Sequence, residues 1–291
     1  MLDFLADRVA PEAPGDLGFS EDDLQQRLAA FNRRRLLPGL PRADWRDEIE
    51  EDRDWLTLEG EFLERERRAV VSRAAEAPTD PDGFDAWLTE LTATGPGQGD
   101  PLFPWLADTC SIDEMKWVLA QEVAGEAGFE DLTALTQVKM PVGPKLELAR
   151  KLGLTPRAET TVWESLALAN TMAGLAWNRR YAYHSIGALG IIEQTAPARA
   201  AAIGRGLKRL GVPTGDRHYF DLHAILDIKH SEAWNKEAIR PLVADNAATA
   251  HPIAEGALMR LTCGARCFER YRRELGWQTD ASGAYVVTPR G

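Results

Sequence analysis

Three residues of one short segment have the types and the spacing that suit a metal ion. His223, Asp227 and His230 occupy positions i, i+4 and i+7. At about 100° per residue, a helix would place the three side chains on one face, within roughly 60° of each other. Two imidazoles and a carboxylate on one face form half of a typical metal site. Trp234 would continue this face and could close the site below.

A structural interpretation competes with metal binding. A His and an Asp at i and i+4 can form a surface pair that contributes only a few tenths of a kcal/mol. The residues around the triplet are apolar, however, and predict a helix that is buried over much of its circumference. They are Phe220, Leu222, Ile225, Leu226 and Ile228. Since charged groups without a strong partner are costly to bury, we favour metal ligands over a structural network.

A metal site needs further ligands, and carboxylates would balance the charge of the cation. Glu193 is an isolated acid after the apolar run 186–192, although a helix-end carboxylate that faces water would give the same pattern. Glu122 follows the largely apolar run 117–121, and Glu126 lies one turn later on the same face. Carboxylates and imidazoles from several helices that face one interior are typical of di-iron bundles, although the ferritin-type Glu-x-x-His pattern is missing.

These residues resemble the haem-oxygenase-like di-iron oxidases and oxygenases, also described as iron-containing redox enzymes. The third core helix of that family carries His-x-x-x-Asp-x-x-His, which His223, Asp227 and His230 match. Its second core helix carries a Glu about 30 residues earlier, which Glu193 matches. Its first core helix carries another Glu, for which Glu122 is the better-placed candidate and Glu126 the alternative. The resemblance covers about residues 110 to 275.

One feature of the family is missing from this chain. Members usually place a His three to about ten residues after the first Glu, whereas no His occurs here before His184. Either Glu126 replaces that ligand, or one iron is held firmly and the second weakly.

The resemblance implies a fold, a chemistry and a set of reactants. It implies Fe(II), two ions per chain, with O2 as co-substrate and an external reductant. The substrate would be a small amine, amino acid or aliphatic molecule, oxidised at nitrogen or at a C–H or C–C bond in a biosynthetic pathway. The implied catalytic residues are Glu122, Glu193, His223, Asp227 and His230, and Glu126 joins them as a metal ligand.

Two other interpretations stay open. One is a metal-independent enzyme of the same fold, such as a cofactor-free oxidase or a thiaminase-like enzyme, for which three ligands on one face would be unnecessary. The other is a non-enzymatic helical binding protein, with the triplet as a structural network. Residues that flank the second core helix could bind a substrate carboxylate or could simply pack at the surface. They are Arg179, Arg180, Tyr181, Tyr183 and His184.

The elements that would position these residues are nearly all helical. Apolar spacing and capping signals predict helices over about 44–75, from 82, over 111–135, 160–195, 197–210, 219–244 and 252–275, and one strand in the tail 284–287. The Gly- and Pro-rich segment 94–101 is the best boundary. We therefore predict an all-α, haem-oxygenase-like helical bundle at 99–291 with a short C-terminal tail, and an N-terminal helical extension at 1–98 packed on it.

Composition excludes several classes of partner. The chain has 291 residues and a formal net charge of -11, which disfavours binding to nucleic acid. No segment has the length and apolar character of a membrane span, and the first residues lack a secretory pattern. Three cysteines are too few for a disulfide framework and indicate a reducing, cytoplasmic compartment. The charged N-terminal helices could form the interface of a homodimer.

Overall fold

The fold is built almost entirely from helices. The computed structural model describes residues 45–122, 148–154, 160–279 and 285–287, with only the backbone at 45–59, 177, 279 and 285–287. The first four helices are α1 Trp45–Ala74, α2 Pro81–Thr94, α3 Leu102–Asp108 and α4 over 112–122. A helical turn follows at 148–151.

The second half holds the longest helices of the bundle. They are α5 Trp163–Trp177, α6 Ala182–Arg209, α7 His218–Trp234, α8 Arg240–Asp245 and α9 Ala250–Glu274. Short 3-10 turns at Arg179–Tyr181 and Ala247–Thr249 and a π-helical turn at Asn235–Ile239 join some of them. Two short antiparallel strands, β1 Trp277–Thr279 and β2 Tyr285–Val287, close the described chain. The predicted all-α fold class is confirmed.

Local sequence signals explain several of the helix ends. The Asp80 carboxylate accepts a hydrogen bond from the Gly83 amide at 2.8 Å and caps α2. Ser111 and Glu114 form the predicted capping box, because the Glu114 carboxylate accepts from the Ser111 amide at 2.7 Å. The part of that predicted helix beyond residue 122 lies outside the described residues.

Two predicted boundaries in the central region are wrong. The predicted helix over 160–195 is two helices, because the backbone of Asn178 is extended and its side chain accepts from the Arg180 amide. The second predicted helix, which starts at Pro197, is instead a continuation of α6, with Pro197 inside it. Proline removes one intrahelical hydrogen bond, whose acceptor four residues earlier is the Glu193 carbonyl. The packing of α6 on both sides outweighs that loss.

Two glycines allow α6 and α9 to approach each other closely. A Cβ on Gly187 would fall on the Ile253 carbonyl oxygen, and a Cβ on Gly256 would fall on the His184 carbonyl oxygen. Further along the pair, the Arg199 guanidinium of α6 lies over the Phe268 ring of α9. The contacts therefore advance in the same direction on both helices, and α6 and α9 run parallel.

The buried residues of α1 and α2 belong to the same core as the bundle. Leu63 and Val70 of α1 and Phe84 and Leu88 of α2 form one cluster with residues of α6 and α9, including Ile191. The N-terminal helices thus pack on the bundle, while the domain boundary near residue 98 stays a prediction. None of the helices in the described part of the chain has the length and apolar character to cross a membrane.

Candidate metal centre

The metal-site candidates lie between α6 and α7, which run antiparallel. Trp234 at the end of α7 packs against Gly190 of α6 and donates a hydrogen bond from Nε1 to the Ile186 carbonyl at 3.1 Å. At the other end, Gly204 of α6 lies against Asp221 of α7. This packing directs Glu193, in the middle of α6, toward the centre of α7.

Three of the predicted residues converge on one point. Ligand atoms of Glu193, Asp227 and His230 all lie within 4.8 Å of one another. The Nδ1 atom of His230 is 3.4 Å from Glu193 Oε2 and 3.5 Å from Asp227 Oδ1. Both distances exceed those of charge-assisted hydrogen bonds, which are about 2.7–2.9 Å. The groups face a common centre without closing a hydrogen-bond network.

The two carboxylates are partly removed from water. Asp227 is only 4% exposed, and Glu193 Oε2 is buried without a hydrogen-bond partner among the described residues. Burial raises the pKa of Asp227, although the neighbouring histidines oppose the shift. Burial, followed by the charge of Asp227, raises the pKa of Glu193. Since two adjacent carboxylates disfavour each other's ionised form, a bound cation would relieve both.

His223 is oriented by its own helix. Its Nδ1 atom donates to the Tyr219 carbonyl at 2.7 Å, so the lone pair of the neutral ring lies on Nε2. The Tyr219 ring stacks on the imidazole at a centroid distance of 4.0 Å. A backbone carbonyl that holds one ring nitrogen is the usual partner of a metal-binding histidine. His223 is also close enough to influence the pKa of Glu193 and Asp227.

The carboxylate predicted from the first core helix lies elsewhere in the described structure. Glu122 is not part of the cluster of Glu193, Asp227 and His230. Its charge instead acts on Arg199. The alternative residue, Glu126, lies outside the described residues. The ligand roles of all six candidates stay predictions.

The surroundings of α7 differ from the expected burial. Phe220 and Asp227 are buried, whereas Leu222, Ile225 and Ile228 are 39%, 68% and 49% exposed. The apolar sequence of α7 therefore does not reflect burial all round. The His230 side chain is 50% exposed, so the centre opens toward one side of α7 in the described structure.

The donor set fits iron. Two carboxylates supply hard, negatively charged oxygen ligands, and two imidazoles supply nitrogen ligands that suit iron as well as zinc and copper. The buried Glu193 Oε2 atom without a partner is the kind of donor that a cation would satisfy. Glu193 is also placed well inside α6, and not at a helix end that faces water.

An all-helical bundle that brings carboxylate and imidazole groups together from facing helices defines the class of bundle proteins that bind metals in their core. Residues 145–265 match the model of a protein family described as iron-containing redox enzymes. The matched segment includes Glu193 and the whole of α7, and the match confirms the resemblance inferred from the sequence. It supports an oxidoreductase of this fold with iron as its metal. No curated protein and no solved structure gives a significant match.

Proposed function

We propose that this protein is a non-haem di-iron oxidase or oxygenase. It would use O2 to oxidise a small amine, amino acid or aliphatic molecule, by N-oxygenation or by C–H or C–C bond oxidation, as a step in a biosynthetic pathway. The observation that carries the proposal is the convergence of Glu193, Asp227 and His230 on one centre, within a segment that matches an iron-containing redox family.

Each residue has a defined task in this proposal. Glu193 and Asp227 would hold the positive charge of iron, and His223 and His230 would provide nitrogen ligands. The Tyr219 carbonyl keeps Nε2 of His223 available for the metal. Bound iron in its reduced state would supply the electrons that activate O2. Since a substrate gives only two of the four electrons that O2 takes up on its way to water, an external reductant would supply the other two.

Metal binding and chemistry can be tested in one series of experiments. Metal-free protein is titrated with Fe(II) under anaerobic conditions and then mixed with O2 with optical detection. The variant is Asp227→Asn, and the matched control is Glu232→Gln, an exposed carboxylate on the same helix. We expect about two irons per chain and a transient visible band in the wild type and in the control, and loss of both in Asp227→Asn.

The outcomes separate the competing functions. Uptake of one iron with O2-dependent oxidation would contradict the di-iron proposal and leave a mononuclear oxidase. A lack of iron uptake by the wild type would contradict the proposal altogether. In that case turnover without metal would identify a metal-independent enzyme, and its absence would favour a binding protein.

A further inference from the structure

Two arginine side chains meet inside the bundle, away from the metal centre. The Arg199 guanidinium of α6 lies 5.0 Å from the ring centroid of Phe268 and 5.6 Å from that of Phe103. Nη1 of Arg260, on α9, is 2.6 Å from the position that a Cβ would take at Gly264, and the Phe268 ring is 3.8 Å from the same position. The two guanidinium groups therefore flank one phenyl ring.

The positive charge at this place is not neutralised by direct contact. Among the described residues, neither Arg199 nor Arg260 forms an ion pair, and Nη1 of Arg260 is buried without a hydrogen-bond partner. Burial and the charge of Arg260 lower the pKa of Arg199 to about 9, while Glu122 and Asp100 act in the opposite direction. Asp100 is already in direct contact with Arg272.

A count of these charges gives a deficit of one negative charge. Three guanidinium groups, those of Arg199, Arg260 and Arg272, face the two carboxylates of Glu122 and Asp100. The Gln98 amide accepts a hydrogen bond from Arg199 Nη2 at 2.7 Å when its oxygen faces the guanidinium, but this partner is neutral. Because a buried charge without a counter-ion is unfavourable, the arrangement suits a monoanion.

An unsatisfied amide lies at the same level of the bundle. Asn170 of α5 is 3% exposed, and both polar atoms of its side chain are buried without a partner among the described residues. The next residue, Thr171, has its hydroxyl 3.7 Å from Sγ of Cys263, which directly precedes Gly264. A buried amide that forms no hydrogen bond costs about 1–3 kcal/mol, so a group is expected here that can both accept and donate, or a ligand together with water.

We propose that Arg199, Arg260 and Asn170 form a subsite that binds the carboxylate group of the substrate. Its assignment to the substrate rests on the proposed function, whereas the binding of the anion itself does not. Arg199 follows Glu193 by six residues on α6, which corresponds to about 9 Å along the helix axis. The substrate is therefore a small amino acid or aliphatic acid whose reacting atom is several bonds away from its carboxylate.

The subsite selects a carboxylate over two other groups. A neutral molecule would leave the charge deficit in place. A dianionic phosphate would turn the deficit into a buried excess of negative charge. Arg179 and Arg180, which the sequence also offers as carboxylate partners, are exposed, with 60% of the Arg180 side chain accessible to water.

The test measures thermal unfolding of the metal-free protein, so that it is independent of iron. The probes are the sodium salts of straight-chain carboxylates from butanoate to octanoate, with hexanamide as the neutral analogue and inorganic phosphate as the second anion. The variants are Arg199→Gln and Arg260→Gln, and Arg179→Gln is the control. We expect a carboxylate to raise Tm by about 3 °C or more at saturating concentration in the wild type and in the control.

Each variant in the subsite has a second expected effect that a structural arginine would not have. Arg199→Gln and Arg260→Gln should lose the carboxylate shift and keep or raise Tm in the absence of ligand, because each removes a buried charge that lacks a counter-ion. A fall in the ligand-free Tm of both variants would show structural arginines and overturn the proposal. A shift that survives in both variants would also overturn it, as would equal shifts with hexanamide, larger shifts with phosphate, or no shift with any carboxylate. A carboxylate shift without iron uptake would refute the proposed oxidase and leave the anion subsite standing.

Discussion

Replacing Asp227 by Asn should make the metal-free protein more stable. The substitution keeps the shape of the side chain and removes one of two adjacent negative charges. Burial raises the pKa of Asp227, so its ionised form is disfavoured in the folded state. For an acid of this kind, the favourable contribution to stability is present below the ordinary carboxyl pKa and is lost as pH rises through the higher folded pKa. At neutral pH the ionised Asp227 therefore destabilises the metal-free fold.

The size of the effect follows from the geometry of the centre. Ligand atoms of Glu193 and Asp227 lie within 4.8 Å of each other. Two like charges at such a distance repel each other by roughly 3 kcal/mol in a medium with an effective dielectric constant near 20. Positive charge on His223 and His230 and the partial exposure of the centre reduce this value. We expect a net gain of roughly 1–2 kcal/mol, or a rise in Tm of about 2–6 °C.

The assay is thermal unfolding with and without Fe(II) under anaerobic conditions. Iron at a hundred times its Kd should stabilise the wild type by about 2.7 kcal/mol and should have little effect on Asp227→Asn. The order of stability of the two proteins is then reversed when iron is added. Glu232→Gln, which removes an exposed charge from the same helix, should behave as the wild type in both conditions.

One result would refute this reasoning. If Asp227→Asn lowered Tm of the metal-free protein by 1 kcal/mol equivalent or more, roughly the value of one hydrogen bond, Asp227 would be a stabilising partner of His230. The cluster would then be a structural network, whatever its resemblance to a metal site. Measurement at low pH gives an internal check, because both proteins carry a neutral side chain there and their difference should vanish.

Three further predictions concern the framework around the centre. The hydrogen bond with His184 and the charge of Arg67 outweigh burial and hold the pKa of Glu255 below its ordinary value. Glu255→Gln should therefore lower the free energy of unfolding by about 1–3 kcal/mol at pH 7, and the deficit should shrink below about pH 4 in acid titrations. Gly256→Ala should push α6 and α9 apart and lower both Tm and iron affinity, whereas Gly60→Ala, with open space around the new Cβ, should raise Tm slightly. Since burial raises the pKa of all three cysteine thiols, iodoacetamide at pH 8 should label none of them in the native protein and all of them after unfolding, as measured by mass spectrometry.

Helical periodicity predicted most elements, but two boundaries needed tertiary information. The pattern of apolar and small residues continues through Asn178, where no Gly or Pro marks the break between α5 and α6. Pro197 does mark a break by local rules, yet α6 continues through it. In both places the packing of α6 decides the outcome, and the local sequence contains no information about that packing.

The centre was predictable where it depends on one helix and unpredictable where helices must be docked. The spacing of Asp227 and His230 predicted their common face, and the structure adds Glu193 from α6. It could not predict that Glu122 would act on Arg199, because this depends on how α4 packs against the bundle. Arg199 did leave a signal in the sequence: it is a single cation in the alanine-rich run 196–203, a pattern that a buried charge can produce.

The features that we assign to function all reduce the stability of the ligand-free bundle. Glu193 and Arg199 lie on the same helix, and each is a charged group without a neutralising contact among the described residues. A sequence selected for stability alone would replace both by apolar residues, since such replacements are often neutral or stabilising. The glycine contacts of α6 with α9 bring the two backbones close together, and this packing offsets the cost. If both charges await ligands of opposite sign, iron and a carboxylate should stabilise the protein additively, because their sites lie about 9 Å apart along α6 and share no contact. Stabilisation by one ligand that abolishes stabilisation by the other would show that the two charges serve a single site.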